Sequence, residues 1–134
     1  MKWTLYFIIC ITLLSCSKGI YHIQLDRNFI EVDHRAHLFT INSDEDITGI
    51  GFDYSASDYD LQDKYYKREI NGTHHQYKCD WIMITIDYSD PYHFNVTLNE
   101  NTSSKSRKAF VRATRLAGAD TLLIVQKGKP APRK

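Results

Sequence analysis

Apolar residues recur at every second position along most of this chain. That spacing puts one side of a β-strand against a core and the other toward water. Within residues 29–33, Ile30 and Val32 share a face; within 37–42, Phe39 and Ile41 do. Residues 47–54 align Ile50, Phe52 and Tyr54, and residues 81–88 align Ile82, Ile84 and Ile86. Residues 93–98 set Phe94, Val96 and Leu98 against Asn95 and Thr97, and residues 108–116 set Ala109, Val111 and Ala113 against Arg112 and Thr114. Residues 121–126 are apolar on both sides, the pattern of a central strand. Turn-forming clusters separate the runs: Ser43-Asp44-Glu45-Asp46, Asn71-Gly72, Ser89-Asp90-Pro91, residues 99–106 and Ala117-Gly118-Ala119-Asp120. Nothing after residue 16 holds helical spacing long enough to build a β-α-β crossover. Seven or eight short strands so spaced predict an all-β fold, an antiparallel β-sandwich. Residues 55–80 break the pattern. They read as one long insertion, either a loop or a hairpin turning at Asn71-Gly72, where positive φ is tolerated.

The first residues obey a different rule. Lys2 precedes an uncharged run of about a dozen residues, shorter than the roughly 20 that cross a bilayer as a helix. The run ends Leu13-Leu14-Ser15-Cys16. This resembles the bacterial lipobox, with an apolar residue three places before the cut, a small one just before it and cysteine just after. The resemblance implies that residues 1–15 are a cleaved lipoprotein signal peptide and that Cys16 becomes an acylated, palmitate-type first residue. Residues 16–22 then form a short lipidated tether, 23–128 the domain and 129–134 a flexible basic tail. About seven extended residues reach at most about 25 Å, so the domain is held close to the membrane. The expected location is the cell envelope, at the outer membrane, with its periplasmic and surface faces both open.

Composition agrees with one folded domain: 134 residues, 43% hydrophobic, with 6 Gly and 3 Pro. A formal net charge of +1 gives no bulk field for nucleic acid. The charge is uneven, however. Residues 44–63 carry Asp44, Glu45, Asp46, Asp53, Asp58, Asp60 and Asp63 without a Lys or Arg, whereas residues 105–134 carry nine basic residues and only Asp120. Once residues 1–15 are removed and Cys16 is acylated, Cys79 is the one remaining thiol, expected as a buried small hydrophobe. No nucleophile elbow, P-loop or zinc-protease motif is present. His74, His75, Cys79 and Asp80 are the densest ligand-like cluster, but adjacent histidines diverge on a strand, so no metal or other cofactor is expected. His34 and His37 likewise point to opposite sides. The chain is read as non-catalytic.

The C-terminal half carries an ordered set of motifs. Trp81-Ile82 is followed by Phe94-Asn95-Val96-Thr97-Leu98-Asn99, then Arg107-Lys108-Ala109-Phe110-Val111, then Val125-Gln126-Lys127-Gly128. This resembles the BACON domain, an immunoglobulin-like β-sandwich module of Bacteroidetes envelope proteins. The resemblance covers about residues 25–128, with its specific part at 81–128, and implies carbohydrate or mucin-glycan binding or a spacer role in larger enzymes. Tyr54, Tyr59, Tyr65, Tyr66 and Tyr77, with Trp81, are the candidate ligand-binding residues, because aromatic rings stack on the C–H faces of sugars. The expectation is a lipid-anchored glycan-binding module; the alternative is a protein-interaction lipoprotein, a protease inhibitor or an accessory subunit of an envelope complex. Growth with a clickable fatty-acid analogue should label the protein, and Cys16→Ser should abolish the label; an unlabelled native protein refutes the anchor.

Overall fold

Strands with one apolar side must stack that side against a second sheet. The computed structural model describes residues 22–53 and 67–134, and nine strands among them form two sheets that stack in this way. They are β1 (Phe29–Val32), β2 (His37–Asn42), β3 (Gly49–Phe52), β4 (Lys67–Asn71), β5 (His74–Cys79), β6 (Ile82–Asp87), β7 (His93–Leu98), β8 (Arg107–Arg115) and β9 (Gly118–Gln126). One sheet has the order β1-β9-β8-β3 and the other β2-β7-β6-β5-β4. The all-β sandwich expected from the pattern is therefore what forms. One pair departs from strict antiparallel pairing, because β1 runs parallel to β9. Tight turns force neighbours to be antiparallel, and these first and last strands share no turn.

The irregular stretch resolves in part. Its second half is the β4–β5 hairpin, which extends the edge of the five-stranded sheet. Asn71 pairs with His74, so the turn lies on Gly72 and Thr73, one place later than the dipeptide signal indicated. Gly72 takes φ +60, as the first central residue of a two-residue hairpin turn. The β8–β9 turn is similarly displaced. Arg115 pairs with Gly118, and the turn falls on Leu116 and Ala117. Leu116 has φ 51, a conformation that costs a residue with a side chain roughly 1–2 kcal/mol.

Between the sheets lie Ile82, Ile84, Ile86, Phe94, Val96 and Leu98 from one side and Ala109, Val111, Ala113, Leu122 and Ile124 from the other. Cys79 is fully buried beside them, the small-hydrophobe role expected of it. Gln126 occupies the next inward position after Ile124 and is also fully buried. Its amide accepts from Arg107 Nε at 2.9 Å and donates to the carbonyls of Arg35 at 2.8 Å and Asn99 at 2.9 Å. Asn101, also buried, donates to the carbonyls of Lys105 at 2.8 Å and Lys127 at 3.1 Å, and its own N–H reaches His34 O at 2.7 Å. These two amides close one end of the sandwich. Gly128 completes it: a Cβ there would lie 2.2 Å from Ser104 O, so only glycine lets the backbones approach. Gln126→Leu should strand the Arg107 and Asn99 groups and cost about 3 kcal/mol in urea unfolding, against less than about 1 kcal/mol for exposed Thr40→Ala.

Candidate functional site

The polar half of the same alternation forms a continuous face on the outside of the five-stranded sheet. Register places Thr40 opposite Asn95, Asn95 opposite Thr85, Thr85 opposite Gln76 and Gln76 opposite Glu69. One polar residue from each of five strands thus makes a row across the sheet. Thr40 Oγ1 donates to Asn95 Oδ1 at 2.7 Å, tying the row at one end. A second row lies beside it: Asn42 opposite His93, and Asp87 opposite His74, which is opposite Asn71. Glu69, Asn71, His74, Gln76, Thr85, Asp87, His93 and Asn95 all line a shallow cleft of about 620 Å³ on this face.

Asp87 is the most constrained charge of the cleft. It accepts from the Ser89 backbone N–H at 2.9 Å and from Ser89 Oγ at 2.8 Å. The Ser89 backbone N–H, then the Thr73 and Ser89 hydroxyls, hold its carboxyl down to about 2. His74 Nδ1 lies 3.5 Å from its other oxygen. Asp87 is therefore ionised at neutral pH and acts as a hydrogen-bond acceptor. The amides of Asn71, Gln76 and Asn95 supply donors and acceptors together. The face can exchange hydrogen bonds with a ligand that is itself both donor and acceptor.

Of the aromatic residues singled out from the sequence, only Tyr77 and Trp81 are among the described residues. Tyr54, Tyr59, Tyr65 and Tyr66 lie outside the described residues, as does Cys16. Tyr77 and Trp81 are only 4% and 5% exposed, which corrects the expectation that they stack on a ligand. Tyr77 points to the inner side of β5, with the Arg68 guanidinium 5.7 Å above its ring. Trp81 has the Arg107 guanidinium 4.5 Å above its ring, so the ring face is already covered. Burial lowers the Arg107 pKa, and the Asp80 charge opposes that shift. The ligand-like cluster is dispersed: His74 is outward, while His75 packs edge-on against Tyr88 at 4.7 Å and Cys79 is in the core. Among the described residues no group of three His, Cys, Asp or Glu side chains is placed to hold a metal ion. The two charge blocks meet at Arg115, whose Nε bonds Asp46 at 2.6 Å with Glu45 at 3.8 Å from its outer nitrogen. That hydrogen bond keeps Asp46 below the ordinary carboxylate range.

The polar face was visible in the sequence only as the unused half of each strand. The alternation along β7 sets Asn95 and Thr97 opposite Phe94, but strand order is what brings Asn95 beside Thr40 and Thr85.

No family profile and no curated protein matches the chain. Among solved structures it is similar to an NMR structure of a protein from Bacteroides thetaiotaomicron, with a TM-score of 0.55 and 12% identity over 86% of this chain and 95% of that one. At that identity the likeness supports the sandwich fold alone.

The depressed Asp87 pKa has a pH signature. A folded-state value below the unfolded 3.8 stabilises the fold above that pH, and the contribution disappears as pH falls toward 2. Asp87→Asn should flatten the fall in melting temperature across that window; an unchanged acid limb would show that the Ser89 and Thr73 contacts are not made.

Proposed function

We propose that this chain is a lipid-anchored, non-catalytic module of the cell envelope that binds carbohydrate on the outer face of its five-stranded sheet. The observation that carries the reading is the row Thr40, Asn95, Thr85, Gln76 and Glu69, one side chain per strand, beside the cleft of about 620 Å³. A sugar presents several hydroxyls, each both donor and acceptor, at spacings of a few ångströms. A strand lattice offers matching partners about 4.8 Å apart across the sheet and about 6.8 Å apart along one face. The side chains are mixed amide, hydroxyl, imidazole and carboxylate, which suits a neutral polyol better than a strongly charged ligand. Rigid strands hold them without the ordering cost that loops incur.

The resemblance of 81–128 to the BACON domain supports the scaffold, and the ligand class comes only as what that resemblance implies. The lipobox-like Leu13-Leu14-Ser15-Cys16 supports the anchor. Among the described residues no Phe, Tyr or Trp side chain lines the cleft, so hydrogen bonds would carry recognition and the affinity for a short oligosaccharide should be modest.

Screening against a broad panel of bacterial, host and plant glycans should find a ligand. Asn95→Ala and Gln76→Ala should each weaken its binding by about tenfold, the loss of roughly one to two hydrogen bonds, with little change in melting temperature. Trp81→Phe should leave affinity unchanged. Binding that ignores both amide variants, or no binding to any glycan, overturns the reading.

A further inference from the structure

The cleft on the five-stranded sheet runs across the strands, not along them. Each of β4, β5, β6 and β7 lends it one residue from each polar row, from Glu69 and Asn71 on β4 to Asn95 and His93 on β7. The four pairs repeat at the strand spacing, about 4.8 Å. The edge strand β2 carries the corresponding residues, Thr40 and Asn42, but neither lines the cleft. Thr40 Oγ1 donates to Asn95 Oδ1, and Asn42 Nδ2 donates to Asp26 Oδ2 at 2.9 Å. The cleft is thus four strands long. Hydrogen-bonding capacity is left over inside it: among the described residues, the side chains of Asn71 and Thr85 and the amide nitrogen of Asn95 have no partner.

We propose that the cleft takes a neutral, linear, β-linked oligosaccharide laid across the strands, one sugar residue to each of β4, β5, β6 and β7. The proposal rests on the carbohydrate reading of this face and adds the shape, charge and length of the ligand. Period selects the occupant. A pyranose linked through equatorial bonds at opposite corners of its ring lengthens the chain by close to one strand spacing, so every residue meets an equivalent pair of side chains. An extended peptide repeats its same-side groups about every 6.8 Å and falls out of step within two strands. An axially linked sugar chain coils and leaves the row after a residue or two. Charge narrows the choice further. Asp87, ionised at neutral pH and placed on β6, an inner strand of the four, repels a uronic-acid or sulfated chain. Twist is compatible. Successive strands turn by roughly 20–25°, so the four pairs rotate through less than a right angle, which a chain free to turn at each glycosidic bond can follow.

The test is titration calorimetry on the full chain, in a detergent without a sugar headgroup, against β-1,4-linked series of one to six residues of glucose, xylose, mannose or N-acetylglucosamine. For a series that binds, affinity should rise about fivefold per residue, the worth of one net hydrogen bond, up to four residues and level off at five and six. Asn71→Ala, at the β4 end, should move the plateau to three residues, with the melting temperature as the check on the fold. Glucose chains of the same lengths in α-1,4 linkage should bind at least about tenfold more weakly. A plateau at one or two residues, a rise that continues past five, equal binding of the coiled chains, or binding confined to other, branched or anionic glycans overturns the cross-strand geometry and leaves the carbohydrate reading standing. So does a plateau that Asn71→Ala does not move. Binding to no glycan at all overturns both.

Discussion

A buried amide, and not the apolar core alone, sets how this sandwich closes. Burial of Ile, Val and Phe between two sheets is strong but has no direction, and it would tolerate the sheets sliding past one another. Gln126 removes that freedom. Out of contact with water, its one carbonyl and one NH₂ group are satisfied by Arg107, Arg35 and Asn99. These come from β8, from the segment entering β2, and from the segment leaving β7, so one side chain couples both sheets. A slip of either sheet would leave several buried polar groups without partners, each at a cost of about 1–3 kcal/mol.

The same corner explains residues that resemble a recognition motif. Arg107 reaches Asn99 O at 2.8 Å while its guanidinium covers Trp81. The aromatic ring, the arginine, the glutamine and Gly128 thus belong to one fastening that fixes the ends of five strands. A motif made of such residues speaks for architecture.

Two outer faces result, and their differences follow from composition. The five-stranded sheet presents two rows of amides, hydroxyls, imidazoles and carboxylates, with the exposed Leu38 and the half-buried Met83 in the row beside them. The four-stranded sheet presents Phe29, Leu123 and Phe110 between Lys108 and Arg112. Residues 121–126 looked apolar on both sides because Leu123 and Val125 belong to that second face. The two outer sides therefore differ in chemistry, one carrying rows of amide, hydroxyl and carboxylate side chains and the other an apolar row beside basic residues.

The amino-acid sequence alone determined the strands, because a period of two records which side of each strand meets water. It determined the small buried thiol, the sandwich class and the opposed blocks of charge, all properties of neighbours along the chain. It did not determine that Tyr77 and Trp81 turn inward, since an aromatic ring reads the same whether it covers a core or a sugar. Nor did it determine turn positions to the residue: Thr73 and Leu116 lie at turns that pairing register chose over the local glycine signals. Only tertiary structure decided that Thr40, Asn95, Thr85, Gln76 and Glu69, spread across most of the domain's length, stand in one row. Strand order is a long-range choice, governed by how two sheets bury their apolar sides together, and no local pattern of residues encodes it.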